Sequence, residues 1–182
     1  MFVWRLDAEM ALRLFEERHA SELHALTDQN REHLRQWLPW VDATSSVEAT
    51  RRFIQNGLKQ YATHRGFQAG IWYQSRLAGV IGYHKIDWHN RKTSIGYWLG
   101  ASFQGKGIMT RACDALINHA FQELKLNRLE IRCAADNQKS RAIPERLGFT
   151  QEGISRQAEW LYDHYVDHVI YAILASEWKG TK

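Results

Sequence analysis

The stretch SFQGKGIMT, Ser102 to Thr110, joins an apolar, strand-like run to a segment with helical spacing. A strand that leads through glycines into a helix directs free backbone N–H groups and the positive end of the helix dipole at one point, where an anion can bind. Because Gly105 and Gly107 have no Cβ, the backbone can approach such an anion closely. The stretch therefore predicts an α/β fold that carries an anion-binding turn.

Two common nucleotide-binding motifs fit this turn poorly. Gly100 through Lys106 spells GxxxxGK, but Gly107 follows where a P-loop needs the Ser or Thr hydroxyl that holds magnesium. The dinucleotide motif GxGxxG, started at Gly105, would need glycine at the position of Thr110. A nucleoside triphosphate and a dinucleotide are therefore both poor candidates for the ligand.

Apolar periodicity outside the turn predicts alternating strands and helices. The helix after the turn is the clearest, because Ile108, Ala112, Leu116, Ala120 and Leu124 recur at intervals of four. Strands are predicted at short apolar or alternating runs: MALRLFEE, FQAGIWY, LAGVIGYHKID, TSIGYWLG, RLEIRCAA, QAEWLY and HVIYAIL. Further helices are predicted at HASELHALTDQNREHLRQWL, VEATRRFIQNGLKQYATHRG and SRAIPERLG. No linker or repeat interrupts residues 1–182, so we expect a single domain with a sheet of mixed strand direction.

Composition and charge narrow the class of ligand and the compartment. A net charge of +4 suits either a phosphorylated cofactor or nucleic acid, and the dispersal of the basic residues favours the first. Cys113 and Cys133 lack metal-ligand spacing, so we expect both to be reduced core thiols. Arg5, Asp7 and Glu9 interrupt any apolar signal segment, and no apolar run is long enough to cross a membrane. We expect a soluble, cytoplasmic protein with no membrane partner.

A third motif, Gln/Arg-x-x-Gly-x-Gly/Ala, describes the turn better. The run from Gln104 to Ile108 resembles the pyrophosphate loop of the GCN5-related N-acetyltransferase (GNAT) superfamily, with a departure from the pattern at Met109. Asn137 to Ser140, and Arg146 to Phe149, resemble two later segments of that superfamily. The stretches GYWLGASFQGKGI, ADNQKS and RQAEWLYD resemble the branch that acetylates the N-terminal amine of ribosomal proteins, at an N-terminal serine or alanine. The resemblance implies a central sheet of about seven strands, mostly antiparallel, with helices on both faces.

The resemblance also implies which residues bind the cosubstrate, acetyl-coenzyme A. The backbone of the turn would hold the pyrophosphate, which involves Gln104, Gly105, Lys106, Gly107, Ile108, Met109 and Thr110. Trp98 and Leu99 would bind the pantetheine arm and donate an N–H to the thioester oxygen. Asn137 would bond to the same arm or to a nearby loop, although an asparagine that caps a turn explains the residue as well.

Two residues are candidates for the proton transfers of an N-acetyltransferase. Glu159 matches the base that takes a proton from the amine, and the competing interpretation is a solvent-facing glutamate on a strand. Many members protonate the departing thiolate with a tyrosine, but Pro144 stands at that position. Ser140 is the candidate replacement, unless it serves only as the N-cap of the following helix.

The acceptor side of the site is less specific in sequence. Trp37 and Trp40 would either wall the acceptor site or fill the core. We expect no metal, because His164 and His168 would lie about 13 Å apart along a strand, too far to share an ion.

Three functions remain open from sequence. The first is acetylation of a protein N-terminus, and the second is acetylation of a small amine such as a polyamine, amino acid or antibiotic. The third is an RNA- or ribosome-binding module that has lost its chemistry, although we expect no nucleic-acid partner for the enzyme. Exposed strand edges late in the chain are compatible with a homodimer.

Overall fold

The computed structural model describes residues 3–180 and contains one eight-stranded sheet, in the order β1-β2-β3-β4-β5-β6-β8-β7. The strands are β1 Val3–Arg5, β2 Met10–Leu14, β3 Phe67–Tyr73, β4 Arg76–Tyr83, β5 Lys92–Leu99, β6 Arg128–Ala134, β7 Thr150–Leu161 and β8 His164–Leu174. All neighbours pair antiparallel except β5 and β6, which are parallel. The mixed, mostly antiparallel sheet is confirmed. The strand count is corrected from about seven to eight, because β1 is a three-residue exposed strand with no alternating pattern to predict it.

The described part of the chain has five α-helices packed against the sheet: α1 Ala20–Gln29, α2 Arg31–Arg35, α3 Val47–Ala62, α4 Ile108–Asn118 and α5 Gln138–Arg146. The first predicted helix is broken into α1 and α2 at Asn30, whose side-chain amide donates to the Leu26 carbonyl and accepts from the N–H of Ala101. Asn30 therefore ends α1 and ties it to the start of the glycine turn. The predicted apolar stripe is confirmed as far as Ala120, since Ile108, Ala112, Leu116 and Ala120 are fully buried. The α-helix itself ends at Asn118, a π-helical turn spans His119–Glu123, and Leu124 is only partly buried.

Both faces of the sheet are covered, as adjacent residues of β5 demonstrate. The phenol of Tyr97 donates to the backbone carbonyl of Ser140 in α5, whereas the indole of Trp98 lies 6.1 Å from the ring of Trp40, in the α2–α3 connection. Side chains alternate along a strand, so α5 and Trp40 lie on opposite faces. The free thiols of Cys113 and Cys133 are buried, as expected.

The sheet opens between β5 and β6. The two strands pair only where Lys92 to Ser94 meets Arg128 to Glu130, and the described residues beyond these form no further pairs across the gap. On the other side of β5, the Ser94 carbonyl accepts from the N–H of His84, directly after β4, and the N–H of Gly100, directly after β5, donates to the Ala78 carbonyl of β4. Because peptide groups alternate in direction along a strand, those of Tyr97 and Leu99 point into the gap and those of Trp98 point toward β4. The N–H and C=O groups of β5 that line the gap therefore make no ladder hydrogen bonds to β6.

Candidate active site

A cleft of about 1930 Å³ runs through the gap and gathers nearly all the predicted site residues. Its walls are the open edges of β5 and β6, the first turns of α4 and α5, and the connection between α2 and α3. Gly107, predicted to bind the coenzyme, and Glu159, predicted to be the base, both line this cleft although they are far apart in sequence. Lys106 does not line it: its ammonium lies 5.8 Å from the centroids of both the Phe103 and the Tyr73 rings.

The glycine turn has the geometry of an anion cradle. Gly105 and Gly107 adopt left-handed backbone angles, with φ of 74° and 70°, which glycine adopts without steric cost. A Cβ added to either glycine would meet no heavy atom within 4 Å, so both face open space. Gly107 is the N-cap of α4, and no side chain caps the helix there. The amides of the first turn of α4 are therefore available to a ligand in the cleft.

Polar and basic side chains surround the cradle, and sequence reasoning missed several of them. The Gln104 side chain accepts from the Lys139 ammonium at 3.1 Å and contacts Nε2 of His33 at 3.0 Å. The Arg146 guanidinium donates to the Thr110 hydroxyl at 2.9 Å. Lys139 and Arg146 thus add two positive charges beside the amides, which favours a ligand with several phosphates.

Asn137 and Ser140 begin α5 at the opposite wall. The Asn137 side chain is the N-cap and accepts from the Ser140 N–H at 3.1 Å, so the capping interpretation holds for Asn137 and is wrong for Ser140. The Ser140 hydroxyl instead lies 3.2 Å from the Cys133 sulfur and 3.4 Å from the Tyr97 hydroxyl. Burial raises the pKa of both the Cys133 thiol and the Tyr97 phenol, so both groups are neutral.

Glu159 reaches the cleft because β7 contains a bulge. Ser155 pairs with His168 and Glu159 with Val166, so residues 156–158 of β7 face the single residue Asp167 of β8. Gln157 has a left-handed φ of 50°, and its N–H donates to the Asp167 carboxylate at 2.7 Å. Such a bulge changes the direction of the following side chain. The Glu159 side chain is one-third exposed, at 33%, and its Oε2 lies 3.4 Å from Nε2 of His168.

The aromatic residues near the start of the chain line the acceptor side. Trp37 and Trp40 are half-buried and line the cleft, with Trp40 against Trp98. The connection that carries them is anchored to the β7–β8 hairpin, because the Tyr162 hydroxyl donates to the Leu38 carbonyl at 2.6 Å. Both tryptophans therefore belong to a fixed wall of the cleft.

His84 is a further cleft residue that the sequence did not single out. Its Nδ1 lies 2.9 Å from the Ser94 hydroxyl, and its ring packs on Gly96, where a Cβ would come within 2.5 Å of Nε2. Although His84 as a whole is exposed, desolvation of its ring, together with the charge of the nearby Arg132, lowers its pKa and leaves a neutral imidazole at neutral pH. A histidine after an apolar strand carries no sequence signal for such a position.

The described residues hold no group of three or more His, Cys, Asp or Glu side chains that could bind a metal ion. Within residues 3–180, no helix is long and apolar enough to cross a membrane.

Comparison with known proteins agrees with this geometry. The family model described as acetyltransferase (GNAT) domain matches residues 9–150. YdaF of Bacillus subtilis (strain 168) is 42% identical to this chain over 100% of both proteins. The ribosomal-protein-serine acetyltransferase of Escherichia coli (strain K12) is 35% identical over 92% of this chain and 94% of that protein.

A solved structure resembles the whole fold. It is RimL, a ribosomal L7/L12 α-N-protein acetyltransferase, in complex with coenzyme A that forms a disulfide with a cysteine of that protein. The match has a TM-score of 0.92 and 35% identity, and it covers 95% of this chain and 98% of that one. With the family model over most of its length and relatives of this similarity, the chain belongs to the GNAT acetyltransferase family.

Proposed function

We propose that this acetyltransferase moves the acetyl group of acetyl-coenzyme A to the N-terminal α-amine of a ribosomal protein. The observation that carries the proposal is the single cleft that joins an anion cradle at Gly105 and Gly107 to the carboxylate of Glu159. The names of the E. coli relative and of RimL support the acceptor class. A ribosomal acceptor would make the cytoplasm the site of the reaction.

The cradle and the open sheet edge fit the two parts of the cosubstrate. The pyrophosphate would accept from amides between Gly105 and Thr110, beside the charges of Lys139 and Arg146. The amide-containing pantetheine arm would lie along β5 and pair with the peptide groups of Tyr97 and Leu99 that point into the gap. In this arrangement Leu99 donates to the thioester oxygen, and Trp98 contributes its side chain to the acceptor wall.

The chemistry needed is attack of a neutral amine on the thioester carbon. A free α-amine has a pKa of roughly 7.7 to 8.0, so part of it is already neutral near pH 7. As the C–N bond forms and the C–S bond breaks, the amine nitrogen loses one proton, which the Glu159 carboxylate takes directly or through water. The Ser140 hydroxyl, which lines the cleft 3.2 Å from the sulfur of Cys133, would donate a hydrogen bond to the departing thiolate. The proton that Glu159 takes from the amine would then reach that thiolate through solvent.

Two alternatives to this proposal are an acetyltransferase with a small amine as its acceptor and an RNA-binding module without catalytic activity. A small amine would use the same cradle and the same carboxylate, and the wall formed by Trp37 and Trp40 would accommodate it as well. An RNA-binding module would need neither group. The cradle and the bulge that directs Glu159 into the cleft favour an active enzyme.

A two-step measurement tests the proposal. Saturating acetyl-coenzyme A, at about 100 times its dissociation constant, should stabilise the protein by roughly 2.7 kcal/mol, whereas ATP with magnesium and NAD should not. Peptides with an N-terminal serine or alanine are then compared with the same peptides blocked at the N-terminus, and with polyamines and free amino acids, in an assay of thiol release. Turnover of free peptides alone supports the proposal. Turnover of small amines alone would change the acceptor, and salt-sensitive RNA binding without any coenzyme effect would replace the enzyme with a binding module.

A further inference from the structure

We propose that His168 is a positioning residue that holds the carboxylate of Glu159 in the orientation needed to accept a proton from the acceptor amine. The inference deepens the proposed function and depends on the role given there to Glu159. It is carried by a direct contact, since Nε2 of His168 lies 3.4 Å from Oε2 of Glu159 and both residues line the cleft.

The contact needs an external support because the backbone around Glu159 is irregular. Three residues of β7, numbers 156–158, face the single residue Asp167, so Glu159 follows directly after a bulge. The bulge changes the direction of the side chain that follows it, so the backbone pairing of Glu159 with Val166 does not by itself orient the carboxylate. The carboxylate of Asp167 stabilises the bulge by accepting a hydrogen bond from the Gln157 N–H. The next residue of β8, His168, contacts the carboxylate of Glu159.

His168 is itself held rigidly. It lies in β8 between two strands, paired with Ala134 of β6 on one side and with Ser155 of β7 on the other. Its side chain is 19% exposed, against 33% for Glu159, so the more buried partner supports the more exposed one. A site built on paired strands keeps its geometry better than one on a loop, and loss of orientation by about 1 Å can cost up to about a hundredfold in rate.

Other charges near the pair have partners of their own. Arg132, on the neighbouring strand β6, donates to the Glu130 carboxylate at 3.0 Å. Asp167 accepts from the Gln157 amide. Among residues 3–180, the structure joins the imidazole of His168 to the Glu159 carboxylate, and an imidazole N–H suits that acceptor.

A double-mutant cycle tests the inference. His168→Leu should lower kcat roughly tenfold, with the KM for acetyl-coenzyme A and the melting temperature close to those of the parent. His168→Gln, whose amide keeps a donor near the position of Nε2, should recover most of kcat. In a Glu159→Gln background, His168→Leu should have no further effect. The matched control is His164→Leu on the same strand, where the histidine is exposed and contacts Asp163 instead.

Several outcomes would overturn the inference. Equal losses in the parent and in the Glu159→Gln background would mean that His168 acts independently of Glu159, and an unchanged kcat in His168→Leu would remove its role. A slowed His168→Leu beside a fully active Glu159→Gln would overturn both this inference and the proposed base.

A second readout separates the inference from the proposed function. In NMR spectra, Glu159→Gln should shift the imidazole signals of His168 and leave those of His164 unchanged, whether or not an acceptor has been found. If the parent acetylates no amine, the proposed function fails while this shift still supports the contact. Unmoved His168 signals would overturn the contact itself.

Discussion

Asn137 caps α5 by accepting a hydrogen bond from the backbone N–H of Ser140 at 3.1 Å. The cap leaves the Ser140 hydroxyl free of the helix and directed at Cys133 and Tyr97 in the cleft. Asn137 thus stabilises the start of α5, and the Ser140 hydroxyl can donate a hydrogen bond to the sulfur of a bound thioester.

This division of roles predicts opposite effects of two alanine substitutions. Asn137→Ala removes the cap and should lower the free energy of unfolding by about 1 kcal/mol. Ser140→Ala leaves the cap intact, so it should cost little stability and instead slow acetyl transfer. Denaturant titration and steady-state kinetics on both variants check this pair. A larger loss of stability in Ser140→Ala than in Asn137→Ala would contradict it.

The cradle predicts that a side chain at Gly107 interferes with the coenzyme. Gly107→Ala should weaken acetyl-coenzyme A binding, because its Cβ would project into the open space of the turn, and it should also cost roughly 1–2 kcal/mol for the left-handed backbone.

Gly148→Ala is the matched control for that substitution. Gly148 also has a left-handed φ, of 79°, and open space around its Cβ position, but it follows α5 and does not line the cleft. Calorimetry should find weaker binding only in Gly107→Ala, with a similar loss of stability in both variants. Equal affinity in the two variants would argue against a phosphate site at the turn.

Glu159 should affect turnover and not coenzyme affinity. Glu159→Gln keeps the size of the side chain and removes the base, so kcat at pH 7 should fall more than about tenfold. Glu152→Gln, on the same strand but paired with Arg128 at the surface, should leave kcat near the parent value. Equal rates for parent and Glu159→Gln would remove Glu159 from the mechanism.

Cys133 should report where the sulfur of the coenzyme lies. Both cysteines are buried, but the Cys133 thiol lines the cleft 3.2 Å from the Ser140 hydroxyl, whereas Cys113 lies among core residues of α4. Incubation with coenzyme A disulfide should exchange one coenzyme A onto Cys133 and release the other as a thiol. Intact mass should increase by one coenzyme A in the parent and remain unchanged in Cys133→Ser. Modification of Cys113 in place of Cys133 would put the sulfur end elsewhere.

Much of the fold follows from local patterns. The apolar stripe of α4 and the glycines before it predict a strand, a turn and a helix, and the structure has each at the expected residues. Two features of the fold escape these local patterns. The exposed β1 has no alternation, and the break at Asn30 depends on a hydrogen bond to Ala101, some seventy residues away in sequence.

The site was less predictable because its geometry depends on pairing between distant strands. The gap between β5 and β6 follows from where their pairing stops, which no local pattern signals. The bulge before Glu159 depends on a backbone N–H of Gln157 and the carboxylate of Asp167. Sequence resemblance found Glu159 itself, but His84 and His168 come into the cleft only through the sheet.

The intact masses of ribosomal proteins with free N-termini, measured after incubation with this protein and acetyl-coenzyme A, decide whether it acetylates a ribosomal N-terminus. We expect one ribosomal protein to gain the mass of a single acetyl group, fragmentation to assign that group to the N-terminal residue, and Glu159→Gln to slow the gain greatly. No change in any ribosomal protein, under conditions in which the protein binds acetyl-coenzyme A and acetylates a small amine, would contradict it.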